Sequence, residues 1–265
     1  MNLLAHYTAS QSEGALQQWK LYATQRDPEA MHRFRVCLKK LRAVLRLLLH
    51  RHPHNEALKK TARQLRHLFR EAGSIRQEEL LCAWLQQHRF GKLLDAGQLM
   101  SSLAQRQKEL LHEQEALSRR MERTFNRMYQ VVKAEPTLAI TPYGLYLKKE
   151  ISRLQREERP ENWHELRKQI KQLLYTWHWL ENRQQLLLLS RREYAYYDEL
   201  QEAIGHWHDL LDIRDWLTNK QFFFHSDHTV RQSFGRCWVR LSHDTAQQDR
   251  VVRKLLARAP AVAAS

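Results

Sequence analysis

Apolar residues recur at steps of three and four along most of this chain. Between 28 and 51 they form a stripe of Phe34, Leu38, Leu41, Leu45 and Leu48. A second stripe of Leu166, Ile170, Leu173, Trp177 and Leu180 follows Pro160. Such spacing puts each set on one side of a 3.6-residue helix. Local punctuation divides the pattern into elements. Asp27 is placed to cap a helix that opens at Pro28, where a missing N–H costs nothing. Pro160 repeats the proline without an Asp before it. Gly73 suits a left-handed residue that ends a helix, and Ser74 with Gln77 reads as a capping box opening the next. The elements predicted for the first half are helices to about 26, over 28–51, 54–72 and 75–89, and a long one over about 95–133. The second half repeats the plan and closes with a helix near 227–258. The tail after 256 is expected to fray.

Only seven glycines and six prolines occur in 265 residues, too few for a turn-rich β fold. Ala, Leu, Gln, Glu, Lys and Arg dominate, and these are helix formers. The fold class expected is all-α.

The two stripes belong to one unit used twice. "PEAMHRFRVCLKKLRAVLRLL" from Pro28 and "PENWHELRKQIKQLLYTWHWL" from Pro160 align at an offset of 132. His32 then pairs with His164, Arg35 with Arg167, Lys39 with Lys171 and Leu41 with Leu173. The register continues without a gap through Gly73 and Gly205, Trp84 and Trp216, Phe90 and Phe222, and Asp95 and Asp227. Gly and Trp are scarce, so coincidence at one offset is a poor explanation, and an internal duplication is the reading. The halves are placed at 1–136 and 137–265, joined around "VVKAEPTLAITPY".

On the first repeated helix His32, Arg35, Lys39, Arg42 and Arg46 fall within roughly 80° of arc, beside the apolar stripe. The second helix offers His164, Arg167, Lys171 and His178, with Leu174 replacing one cation. Arg63, Arg66 and Arg70 form a further basic run at helical spacing, as do Lys149, Arg153 and Arg156, and Arg120, Arg123 and Arg127. Basic faces are often merely solvated and ion-paired. Here no Asp or Glu lies between Met31 and Asn55, so the row repels itself unless an anion is near. A row advancing about 5 Å per turn meets successive phosphates of a polymer. Arg supplies a two-pronged donor and Lys a mobile point charge.

Net charge supports a polyanionic partner: the formal value is +15, with an isoelectric point near 10.0. Cys37, Cys82 and Cys237 lie far apart with no CxxC, as expected for reduced thiols in a cytoplasmic protein. "MNLLAHYTASQ" has neither the basic nor the apolar region of a secretory signal, and no stretch is long enough to span a bilayer.

Four other readings bear on the same residues. "HWHDLLD" puts His206, His208, Asp209 and Asp212 within one helical stretch, but nothing completes a metal site, and none is expected. No phosphate loop, nucleophile elbow or carboxylate pair suggests an enzyme or a cofactor. Nucleic acid would meet the same cations, although Trp84, Trp177 and Trp216 fall on apolar periodicity and read as core. A helical scaffold for an acidic protein segment is the fourth.

The stretches "HRFRVCLKKLRAVLRL", "HELRKQIKQLLY", "AGSIRQEELL" and "IGHWHDLLDIRDWL" resemble the CHAD, or conserved histidine α-helical, domains over nearly the whole chain. The resemblance implies two long four-helix bundles related by a pseudo-twofold axis. It implies non-catalytic binding of inorganic polyphosphate in a basic groove between the halves, and for some members association with polyphosphate granules. The binding residues it implies are His32, Arg35, Lys39, Lys40 and Arg42 in the first half, and His164, Arg167, Lys171 and Tyr175 in the second. Arg46 completes the first row. Arg63, Arg66, Arg70, Lys149 and Arg153 are secondary candidates. Gln172 and Leu174 depart from the family's basic pattern, and so do Arg76-Gln77 and His208-Asp209 at the position of an Arg-Asp pair.

Overall fold

A computed structural model describes residues 3–96, 98–134, 140–157, 159–180, 182–219 and 227–259. Among them there are eleven α-helices and no strand. In chain order these are α1 (Leu3–Gln25), α2 (Pro28–Arg51), α3 (Glu56–Gln87), α4 (Gly91–Ala96), α5 (Leu99–His112) and α6 (Gln114–Ala134). They continue with α7 (Ile140–Glu157), α8 (Pro160–Trp177), α9 (Asn182–Leu188), α10 (Arg191–Asn219) and α11 (His228–Leu256). No described helix is long and apolar enough to cross a membrane. Phe222, the linker centre at 135–139 and the tail from 260 lie outside the described residues.

The chain forms two compact units. One comprises Met1–Arg89 and Gln98–Leu138, the other Phe90–Gly97 and Ala139–Ser265. The short segment carrying α4 therefore belongs with the later half of the chain, where it packs on α11. In the first unit α2 lies against α1 and α3, and α6 covers α1 and α3. Phe34, Leu38, Leu41, Leu45 and Leu48 of α2 are all buried there. In the second unit α8 lies against α7 and α10 through Leu166, Ile170 and Leu173, and α11 packs on α10.

The start of α2 follows its local chemistry. The Asp27 carboxylate accepts from the N–H groups of Glu29 and Ala30, with Pro28 in the first turn. Arg159, before Pro160, makes no side-chain cap. Helix ends coincide at the 132-residue offset: α1 and α7 end at Gln25 and Glu157, and α3 and α10 at Gln87 and Asn219.

Two expected boundaries of the first half are wrong, and the repeat of the first of them fails likewise at Gly205, inside the unbroken α10. No helix ends at Gly73, because α3 runs unbroken from Glu56 to Gln87. No glycine among the described residues has a positive φ, and the Ser74 hydroxyl donates back to the Glu71 carbonyl instead of capping a new helix. The left-handed residues that follow helices are Arg26 (φ 55°), just after α1, and Arg89 (φ 62°), just after α3. The expected helix over 95–133 is broken twice. Gln98 takes a left-handed φ of 50° before α5, and Glu113 separates α5 from α6.

Trp84, Trp177 and Trp216 are half-buried, not core. The Trp84 ring lies tilted against that of His88 at 4.5 Å, and the Trp177 indole N–H donates to the Gln185 carbonyl. Among the described residues the buried indoles are Trp19, Trp163 and Trp179. All three cysteines are free, and burial pushes the Cys82 thiol up to about 11 and Cys237 to about 12. Such thiols are poor nucleophiles at neutral pH.

Candidate functional site

The basic row of α2 runs along its border with α3, and its cations gather on one aromatic ring. The Arg35 guanidinium lies 4.5 Å from the centre of the Phe69 ring, and so does that of Arg42. The Lys39 ammonium stands 5.9 Å from the same centre. A ring face carries negative quadrupole density, so it holds cations near one another without neutralising them. Arg35 is fixed further by its Nη1 N–H, which donates to the Phe69 carbonyl at 3.3 Å. Its guanidinium rests on Gly73, where a Cβ would meet Nη1 at 2.6 Å. That close approach is the reason for a glycine inside α3.

Crowding shows in the electrostatics. Burial, followed by the charges of Arg76 and Arg42, lowers Arg35 to about 10. Burial, followed by Arg46 and Arg66, lowers Arg42 to about 10. Both remain charged at pH 7. His32 is shifted below its ordinary value by desolvation first and then by Arg76, so it is neutral at pH 7 and offers one ring N–H. Lys40 is half-buried beside Cys37, whose thiol it acts on, and Arg46 is exposed at the row's far end. Arg63, Arg66 and Arg70 are exposed on α3, with Arg66 and Arg70 at three positions before and one after Phe69. Arg76 pairs with the buried Glu79 at 3.5 Å.

The second unit repeats the scaffold. Arg167 donates from Nε to the Gln201 carbonyl at 3.1 Å and rests on Gly205, where a Cβ would meet Nη2 at 2.6 Å. Each of these residues stands 132 positions after its counterpart. The surroundings differ. Gln201 replaces the phenyl ring, and Leu174, in the place of Arg42, is buried with Gln172 beside it. Lys171 is lowered to about 8 by burial and then by Arg167, against the opposing pull of Asp198, Glu202 and Asp209. The Tyr175 hydroxyl is pushed up to about 12 by burial and stays a donor at neutral pH.

His164 is lowered by desolvation, and its ring lies 4.7 Å from that of His208. His208 is raised through its bond to Asp212, Nδ1 to Oδ2 at 3.3 Å. His208, Asp209 and Asp212 bring donor atoms within 4.8 Å of one another; His206 is not among them. Lys149 is exposed on α7, and Arg153 is engaged along that helix by Glu150 at 3.2 Å and Glu157 at 2.7 Å. Arg35, Lys39 and Arg42 thus converge on one ring in the first unit, whereas Lys149 and Arg153 sit on α7 of the second.

Phe69 was not among the residues expected from sequence. Its signal was an aromatic residue between Arg66 and Arg70 on an otherwise polar face. Asp198 and Glu202 were also missed, although both stand where the first half has arginine.

A protein-family model described as the CHAD domain matches residues 8–218. No curated protein and no solved structure matches the chain.

Proposed function

The chain belongs to the CHAD domain family, a domain associated in general with polyphosphate binding, and we propose that it binds inorganic polyphosphate non-covalently along the α2 row. The observation that carries this reading is the gathering of Arg35, Lys39 and Arg42 around the Phe69 ring. A neutral ring holds cations close to one another without the neutralisation that a carboxylate would bring, which suits a row that meets an external anion. Forked guanidiniums suit phosphate oxygens, and a row along a helix suits a linear polymer more than a compact ligand.

The same reading takes the matched scaffold of Arg35 with Gly73 and Arg167 with Gly205 as the trace of an internal duplication, one helical bundle per half. It assigns no catalytic step to the chain and no cofactor, and it places the protein with polyphosphate granules in the cytoplasm. Added salt weakens the complex through counterion release.

The test is a competition titration of long-chain polyphosphate against duplex DNA at equal phosphate concentration and near-physiological salt. Tight binding that DNA does not displace supports the reading. Preference for DNA would move the function to nucleic acid, and binding to neither would leave an acidic protein segment as the partner class.

A further inference from the structure

The two repeated scaffolds have diverged in charge, and we infer that the first unit carries the polyphosphate while the second neutralises its own row from α10. This inference rests on the polyphosphate reading. The anchoring geometry is the same in both units: an arginine of the basic helix bonded to a carbonyl of its neighbour and seated on a glycine. With the scaffold held constant, the facing helix decides what the row meets.

Over 63–77 of α3 there are four arginines and one glutamate, a net charge of +3. Over the equivalent 195–209 of α10 there are four carboxylates and no Lys or Arg, a net charge of −4. The exchange is sharpest beside the anchor. Arg66 and Arg70 flank Phe69, while Asp198 and Glu202 flank Gln201. The carboxylate of Asp198 accepts from Gln201 Nε2 at 3.0 Å, which ties it to the residue whose backbone carbonyl fixes Arg167.

The charges of Asp198, Glu202 and Asp209 all act on Lys171 from α10, so the cation matching Lys39 lies in the field of three carboxylates, outweighed there by burial and Arg167. Arg42, meanwhile, has given way to the buried Leu174. A polyanion approaching α8 would meet carboxylates first. One approaching α2 would meet Arg66 and Arg70, which extend the row across a second helix.

The experiment exchanges these flanking charges without touching either basic helix. Long-chain polyphosphate is titrated between 50 and 200 mM salt into the wild-type chain, Arg66→Asp with Arg70→Glu, and Asp198→Arg with Glu202→Arg. Circular dichroism monitors folding. The α3 variant is expected to lose affinity by about tenfold or more and to flatten the salt dependence by roughly 1.5 in log–log slope. The α10 variant is expected to bind more tightly with a steeper slope. Asp198→Asn with Glu202→Gln gives the same sign if the arginines disturb the packing.

A wild-type chain that binds no polyphosphate would sink the polyphosphate reading, and this inference with it. A wild-type chain that binds, with a harmless α3 exchange or an α10 exchange of no benefit, would overturn the inference alone. So would a magnesium-dependent loss of affinity in the Asn–Gln variant, since the carboxylates would then be recruiting the polymer through a cation.

Discussion

The Arg35 guanidinium occupies the space where a side chain on Gly73 would begin, with Nη1 2.6 Å from the place of a Cβ. Substituting Gly73→Ala therefore separates two quantities that usually move together. Alanine is favoured over glycine inside a helix by about 1 kcal/mol, and only the far end of a flexible side chain must yield. The melting temperature is expected to hold or rise by a few degrees. Polyphosphate affinity is expected to fall, because Arg35 loses its carbonyl and its place on the ring. Differential scanning calorimetry and a binding titration on one preparation check both signs.

Phe69→Leu keeps an apolar side chain on α3 and removes the π face. Two guanidiniums at 4.5 Å lose their ring contact, each worth about 0.5–1 kcal/mol where partly exposed. The expected result is a polyphosphate affinity about five- to thirtyfold weaker, by roughly the sum of those two energies, with helical content unchanged. An unaltered affinity would show that the ring is a spacer and not an organiser.

Lys171 gives a pH-dependent stability. Its folded value of about 8 lies below the ordinary 10.5, so between these pH values the unfolded chain holds a proton that the folded chain has shed. Stability from this group is therefore present above the unfolded value and is lost as pH falls through the folded one. Urea unfolding of wild type and Lys171→Met is expected to diverge in wild type's favour from pH 7.5 to 10, by about 2 kcal/mol. A constant difference across that range would contradict the assignment.

His32 and His164 are both held below the ordinary imidazole value, and His208 above it. Their NMR titrations should separate in that order. Affinity for polyphosphate is expected to change little from pH 8 to 7 and to rise only below the usual 6.5, where His32 gains charge. His32→Gln should remove part of that rise. The stability linked to keeping these two rings neutral declines as pH falls through their depressed values.

Much of this architecture can be read from residue order, because it depends on short-range chemistry. The stripe of Phe34, Leu38, Leu41, Leu45 and Leu48 becomes buried core, and Asp27 with Pro28 opens α2 as its cap chemistry requires. Gly73 misled because a glycine serves equally as a left-handed terminus or as a place of close approach, and its partner, Arg35, sits on another helix. Phe69 was hidden for a related reason: an aromatic among arginines shows its role only when the facing helix is in place. The inverted charge of Asp198 and Glu202 is present when the two stretches are set side by side. It emerges when the 132-residue register is read for its mismatches as well as its matches.

Helix α4 has a bearing on how the molecule is made. Its Leu93 and Leu94 are buried in the unit that contains α11, although the chain passes through them between α3 and α5. During synthesis they emerge early and wait for a partner that appears only after residue 228, with the loop-closure entropy of a long intervening stretch to overcome. A cut at the linker would divide the gene neatly but would leave the later half without α4 and the earlier half with two bare leucines. The two units are interleaved along the message, so the second core cannot close until α11 has emerged.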